Sequence, residues 1–138
     1  EKENIYSHEQ RYKGFTDELE GKDIHYEIID NWDYINAVDK LLPNLSEKTA
    51  LLCSGDTFAL EIMKHLRKKN IYVPNHIGIM GFDGIDILDY ITPRLATVYN
   101  PVDTIGVHAF KNLIKLIKGE QIEKQVFIEY KVLEGESL

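Results

Sequence analysis

Residues 77–87 read IGIMGFDGIDI, an apolar run followed by Gly-Phe-Asp-Gly and a second apolar stretch. The run at residues 77–82 carries no charged side chain, which predicts a short strand buried on both faces. Gly78, Gly81 and Gly84 recur at every third position beside Asp83. Such a pattern occurs in phosphate cradles, in metal sites and in turns, so the role of this stretch determines how the chain folds and what it binds.

Helices and strands are predicted to alternate along the chain around this run. Helical spacing of apolar residues appears within residues 12–19, 33–42, 56–66 and 103–117, whereas strands are predicted at 24–28, 49–53, 77–82, 96–99 and 126–133. This order predicts an α/β fold with a doubly wound, mostly parallel sheet and helices on both of its faces.

The helix boundaries and buried faces follow from the same pattern. Asp33 and Asp56 are each expected to cap the helix that follows, and Gly119 lies beyond the end of the last one. The last helix, opened by Asp103 or Thr104, is expected to turn one apolar stripe inward: Ile105, Ala109, Phe110, Leu113, Leu116 and Ile117.

Composition excludes several classes of protein. The 138 residues carry 16 basic and 23 acidic side chains, a net charge of −7, so direct binding of nucleic acid by this chain is not expected. No apolar run is long enough to span a membrane, and no membrane partner is expected. Cys53 is the single cysteine, which excludes an internal disulfide and fits a reducing, cytoplasmic compartment. It lies in an apolar run and is interpreted as a buried filler.

Asp83 stands at the carboxyl end of a predicted strand, the edge at which open parallel sheets bind ligands. A phosphate cradle would need Gly-x-Gly-x-x-Gly or a following Lys-Ser/Thr, and neither occurs. The five histidines show no ligand spacing, so neither a metal nor another cofactor is expected. Two interpretations remain open from the residues alone: Asp83 accepts hydrogen bonds from a neutral ligand, or it caps the following loop.

Five motifs occur in a fixed order over nearly the whole chain. They are RYKGF at 11–15, CSGDTFAL at 53–60, NIYVP at 70–74, GFD at 81–83, and PRLATVYNP at 93–101 followed by Ile105-Gly106. Their combination resembles the LacI/GalR family of bacterial transcriptional regulators. The resemblance implies the fold of the periplasmic sugar-binding proteins, in which two α/β lobes close on a ligand.

Residues 1–138 resemble a single α/β lobe, the second of the two. The family's DNA-binding helix-turn-helix, its hinge helix and most of its first lobe precede the RYKGF motif, so DNA contact is expected only through that absent N-terminal part. The resemblance also implies that the helix at 103–118 packs on the first lobe. It is therefore expected here to fold back or to be buried by another copy.

The resemblance assigns roles to five residues. Arg11 is expected to donate hydrogen bonds to the ligand and Asp83 to accept them. Trp32 is expected to stack on a sugar ring, with a partly buried core tryptophan as the alternative. Gly55 falls where some members carry a ligand-binding Asn, so that contact would be lost, and Asn100 stands where Gln is frequent.

Two surfaces are expected to form a homodimer. In the family they are the helix after the GD motif and the loop before the Pro-x-Leu motif. The residues here are Phe58, Met63, Arg67, Leu88, Tyr90 and Ile91. Packing of the apolar loop against its own domain is the alternative.

The resulting prediction is an effector-sensing and dimerisation domain of a bacterial DNA-binding transcriptional regulator, with a small sugar-like ligand. The alternative is a solute-binding protein of a sugar transporter, which shares the fold. An enzyme is not expected, because Ser54 has no Gly-x-Ser-x-Gly elbow and no histidine is placed to activate it.

Overall fold

The computed structural model describes residues 6–30, 32–45 and 49–138. The chain divides into two units, Glu1–Ser46 and Glu47–Leu138, and each is described by itself.

The first unit is helical. Helix α1 spans Tyr6–Leu19, and α2 spans Tyr34–Leu41 and continues into a 3₁₀ turn at Leu42–Asn44. Gly21 follows α1 with a φ of +75°, so the predicted helix end is confirmed. Asp33 occupies the N-cap position of α2, but its side chain accepts a hydrogen bond from Asn36 Nδ2 at 2.7 Å and makes no capping bond.

The strand predicted at residues 24–28 is wrong. These residues belong to no strand ladder, and Ile24, Tyr26 and Ile28 are exposed. Alternating side chains form a strand only where a second strand supplies hydrogen bonds, and the described part of this unit contains none. Tyr26 instead packs edge-to-face on Phe15 of α1, with 5.6 Å between the ring centroids.

The second unit is built on a four-stranded sheet. Its strands are β1 (Ala50–Leu52), β2 (Gly78–Asp83), β3 (Ala96–Tyr99) and β4 (Lys131–Leu133), in that spatial order. β1, β2 and β3 are parallel, and β4 pairs antiparallel to β3. The predicted mostly parallel α/β sheet is confirmed.

β4 is shorter than the strand predicted at 126–133. Its three residues pair with Thr97, Val98 and Tyr99, so residue 130 would face Asn100 and residue 129 would face Pro101. The N–H of Asn100 already donates to Asp83, and proline has no N–H. Pairing therefore stops at Lys131.

Helix α3 (Asp56–Lys68) covers one face of the sheet. It buries Ala59, Ile62 and Leu66 on the side where Ile79 of β2 is fully buried. On the opposite face, Leu52 and Val132 remain more than half exposed. The core of this unit therefore lies between α3 and the centre of the sheet.

Helix α4 spans Val102–Ile117, with Gly119 at a φ of +74° beyond its end. None of its residues is buried, which contradicts the inward stripe predicted for Ile105, Ala109, Phe110, Leu113, Leu116 and Ile117. The apolar spacing identified the helix correctly, but nothing in the described residues covers its apolar face. The face does not fold back on the described chain.

Candidate functional site

The carboxyl ends of β1, β2 and β3 bring three predicted ligand residues together. The carbonyl oxygen of Asp83 accepts a hydrogen bond from the N–H of Asn100 at 3.0 Å. Asp83 Oδ2 lies 3.5 Å from the position that a Cβ would take on Gly55. A half-buried carboxylate thus stands at the edge of a parallel sheet, where a ligand hydroxyl or N–H can reach it.

Asp83 has an unusual backbone conformation. Its φ of +115° lies in a region that non-glycine residues rarely adopt, at a cost of about 1–3 kcal/mol. Such a conformation persists only where neighbouring groups hold it.

Asp56 is the residue that holds this turn, and the prediction that it caps α3 is wrong. Gly55 is the N-cap and Asp56 the first residue of the helix. The Asp56 side chain is fully buried, and its Oδ2 accepts hydrogen bonds from the N–H of Gly84 at 2.6 Å and of Ile85 at 3.0 Å. Its Oδ1 accepts from Thr97 Oγ1 at 2.6 Å. The first two N–H groups after Asp83 therefore donate to the carboxylate of Asp56 and not to that of Asp83.

The glycine spacing in GFDG makes room for this arrangement. A Cβ on Gly81 would overlap Asp56 Oδ1 and lie 2.8 Å from Leu95 Cδ2. A Cβ on Gly84, whose φ is +74°, would lie 2.6 Å from Tyr99 Cδ2. The GFDG segment is therefore the end of β2 and a turn shaped around a buried carboxylate.

The thiol of Cys53 is unreactive. Cys53 is buried directly after β1. The pKa of its thiol is raised to about 12, mainly by burial and to a smaller extent by the charge of Asp56. The thiol is therefore neutral at physiological pH, as expected of a buried filler.

Arg11 and Trp32 belong to the first unit. Arg11 is half-buried on α1. Trp32 precedes α2 and is 91% exposed, which excludes the alternative of a partly buried core tryptophan. Its indole faces are available for stacking.

The predicted dimer surface is only partly exposed. Arg67 and Tyr90 are exposed, and Tyr90 is 83% accessible. Phe58, Met63 and Ile91 are half-buried. Leu88 is buried, because the 3₁₀ turn Asp86–Tyr90 rotates it under the loop, so Leu88 must be removed from the predicted surface.

A small hollow of about 190 Å³ lies beneath the same loop. Gly84, Leu88, Arg94, Thr97 and Tyr99 contribute to its wall. It is smaller than the roughly 300–1,000 Å³ typical of small-molecule sites. The hollow is therefore a small gap beneath the loop, and it is too small to be a typical site for a sugar by itself.

The described residues contain neither a candidate metal site nor a candidate membrane span. Within residues 6–30, 32–45 and 49–138, no group of three or more histidine, cysteine, aspartate or glutamate side chains could hold a metal ion. Across the same residues, no helix has the length and apolar character needed to cross a bilayer.

Comparisons with known proteins agree on one family. The model of the periplasmic binding protein-like domain family matches residues 1–138. The HTH-type transcriptional repressor PurR of Vibrio atlanticus (strain LGP32) is 37% identical over 91 residues, which are 66% of this chain and 27% of the relative. The probable HTH-type transcriptional repressor ExuR of Bacillus subtilis (strain 168) is 32% identical over 134 residues, or 92% of this chain and 40% of the relative. The chain thus spans between about a quarter and two fifths of these relatives' length.

A solved structure shows the same fold. The periplasmic binding protein/LacI transcriptional regulator from Alkaliphilus metalliredigens QYMF, complexed with D-xylulofuranose, superimposes with a TM-score of 0.78 and 27% identity. The match covers 94% of this chain and 51% of that one. The α/β fold expected from the order of helices and strands, and the periplasmic-binding-protein-like fold implied by the resemblance, are confirmed.

Proposed function

The chain belongs to the periplasmic binding protein-like domains of LacI/GalR-type regulators, and from this premise we propose that it senses an effector and dimerises within a bacterial DNA-binding transcriptional regulator. The effector is a small sugar-like molecule. One observation carries the proposal: Asp83 presents a half-buried carboxylate at the carboxyl edge of the sheet, beside Gly55 and Asn100.

A carboxylate in this position recognises hydroxyl groups. An ionised Asp accepts hydrogen bonds and donates none, so it selects ligands rich in O–H or N–H donors and repels anionic groups placed directly against it. Gly55 carries no side chain that would stand between Asp83 Oδ2 and the Phe58 ring, which lie 3.5 and 3.4 Å from the position of its Cβ. The solved relative complexed with D-xylulofuranose supports a sugar as the class of ligand.

Arg11 and Trp32, in the first unit, are proposed as further ligand contacts on the strength of the family resemblance alone. The guanidinium of Arg11 would donate to ligand oxygens, and the exposed Trp32 indole would stack on the apolar face of a sugar ring. Asn100 would add a side-chain amide.

The proposed mechanism is a shift in population. A ligand that contacts both lobes of the full-length protein favours their closed arrangement, and closure changes the spacing of the DNA-binding heads in a homodimer. DNA contact belongs to a helix-turn-helix in the N-terminal part of the regulator, and the protein acts in the cytoplasm, where the DNA is.

Both curated relatives are named as transcriptional repressors, which favours a regulator over a solute-binding protein or an enzyme.

The test is a thermal-shift panel on the full-length protein with D-xylulose, other pentoses and hexoses, sugar phosphates and nucleosides. Asp83→Ala and Arg11→Ala should each raise the Kd of the responding ligand by about 10- to 100-fold. Each substitution removes a hydrogen bond to a charged group, which is worth about 1.5–3 kcal/mol. Because asparagine tolerates a positive φ, Asp83→Asn provides a second variant at this position that removes the charge of the carboxylate and keeps the backbone conformation.

Two exposed α1 residues supply matched controls. Asp17→Ala and Lys13→Ala remove charges of the same sign as Asp83 and Arg11 and should leave ligand affinity unchanged. A full response in both the Asp83→Ala and Arg11→Ala proteins, or no response to any compound in the wild type, would contradict the proposed site.

A further inference from the structure

The peptide bond between Asp83 and Gly84 is held at both of its polar atoms. Its carbonyl oxygen accepts a hydrogen bond from the N–H of Asn100 at 3.0 Å, and its N–H donates to Asp56 Oδ2 at 2.6 Å. The next N–H, that of Ile85, donates to the same oxygen at 3.0 Å. Because the peptide group is planar, fixing its two ends fixes ψ of Asp83 and φ of Gly84.

Asp83 requires this restraint. Its φ of +115° and the φ of +74° at Gly84 put two consecutive residues outside the conformations that most side chains prefer. The direction in which the Asp83 side chain leaves the backbone depends on these angles. A small rotation of the peptide would carry the carboxylate away from the space beside Gly55.

The Asp56 side chain is itself fixed. It is fully buried, and its Oδ1 accepts a hydrogen bond from Thr97 on β3 at 2.6 Å. One oxygen thus receives two backbone donors and the other receives a hydroxyl. A carboxylate side chain offers acceptors on both of its oxygens, which matches these three donors.

We propose that Asp56 is a positioning residue for ligand binding: it holds the Asp83–Gly84 peptide so that the Asp83 carboxylate points to the carboxyl edge of the sheet. The inference rests on the proposed role of Asp83 as the ligand acceptor. Asp56 does not touch the ligand and acts through the backbone of the turn.

Asp56→Asn tests the inference without opening a cavity. The amide keeps one acceptor oxygen and replaces the other with an NH₂ donor, so it cannot reproduce all three bonds with their charge. In the full-length protein, we expect the Kd for D-xylulose, measured by calorimetry, to rise about tenfold, equivalent to one weakened hydrogen bond to a charged group.

Ser137→Ala is the control for stability. It removes two hydrogen bonds within the same sheet and leaves all three bonds to the Asp56 carboxylate in place. It should lower the Tm and leave the Kd for D-xylulose unchanged. Equal losses of affinity in Ser137→Ala and Asp56→Asn would show that Asp56 acts only through stability and would overturn the inference.

A double-mutant cycle separates this inference from the proposed function. In an Asp83→Ala background, Asp56→Asn should have no further effect on Kd, because the group that it positions is already absent. An undiminished effect in that background overturns the positioning role. An unchanged Kd in Asp83→Ala alone overturns the proposed function instead.

Amide hydrogen exchange measured by NMR needs no ligand and decides the inference if D-xylulose does not bind. Asp56→Asn should accelerate exchange at Gly84 and Ile85 relative to the N–H of Cys53, which donates to Met80 in the sheet. Unchanged exchange at Gly84 and Ile85 would overturn the inference whatever the binding data.

Discussion

Gly81 lies on the α3 side of β2, where its neighbours occupy the space that a side chain would need. Asp56 Oδ1 would overlap an added Cβ, and Leu95 Cδ2 would lie 2.8 Å from it. Both neighbours are buried, and Asp56 is held by three hydrogen bonds. We therefore expect Gly81→Ala to lower the free energy of unfolding by about 1–3 kcal/mol, measured by urea denaturation.

Gly106→Ala provides the comparison within the same unit. Gly106 lies on α4 with open space around its Cα, so alanine should raise helix stability by up to about 1 kcal/mol. Similar destabilisation by both substitutions would contradict the packing described at Gly81.

Part of the candidate site could be predicted at the level of single residues. Asp83, Gly55 and Asn100 follow consecutive parallel strands, and the carboxyl ends of such strands meet at one edge. The sequence predicts that Asp56 caps the helix that follows it, because an acidic residue at the start of a helix usually accepts hydrogen bonds from the first N–H groups of that helix. Its true partners, Gly84 and Thr97, are 28 and 41 residues away, and only the strand register brings them within reach.

Helices were predicted more accurately than strands for a physical reason. A helix makes its hydrogen bonds within its own segment, so spacing and end signals located α2, α3 and α4 to within two residues at each end. They located the end of α1 but not its start, which lies at Tyr6. A strand needs a partner, and alternation at residues 24–28 and 126–130 carried no information about whether one existed. Apolar spacing likewise identified α4 but not what covers it.

The C-terminal tail, residues 135–138, replaces a missing piece of strand. β3 begins at Ala96 opposite Met80, so Gly78 and Ile79 have no partner on β3. Ser137 fills this place: its carbonyl accepts from the N–H of Ile79 at 2.7 Å, and its hydroxyl donates to the Ile79 carbonyl at 2.6 Å. The same hydroxyl accepts from the N–H of Ala96 at 2.8 Å.

Ser137→Ala should therefore lower the free energy of unfolding by about 1–3 kcal/mol, because it leaves two buried backbone groups without their partner. Thr57→Ala removes a hydroxyl from an exposed position on α3 and should stay within about 0.5 kcal/mol of the wild type. Both values come from urea denaturation of the same chain. Equal stability of the Ser137→Ala and wild-type proteins would contradict the bridging role of the tail.

At the scale of the whole molecule, two of the exposed apolar regions in the described residues bear on assembly. The first is the α4 face, which includes Phe110 (64% exposed) and Leu113 (52%), and the second is the loop that carries Tyr90 (83%). Large apolar side chains left exposed in this way favour a contact with another part of a protein or with a partner. We propose that the α4 face packs on the first lobe of the full-length protein and that the Tyr90 loop contacts a second copy.

Adding a charge to each of the two proposed surfaces should have a different effect. In the full-length protein, Phe110→Lys with Leu113→Lys should lower the Tm by several degrees, because two charges would enter a buried contact. Tyr90→Lys should leave the Tm of the monomer unchanged and convert the dimer to monomer, as measured by light scattering after size-exclusion chromatography.

The first effect should be absent in the 138-residue chain by itself, since its α4 face is exposed to solvent. Here the Phe110→Lys, Leu113→Lys pair should leave the Tm unchanged and reduce concentration-dependent self-association. If the pair fails to lower the Tm of the full-length protein, α4 does not pack on the first lobe. If Tyr90→Lys remains dimeric, the loop is not the dimer contact, and its half-buried neighbour Ile91 serves only to hold the turn in place.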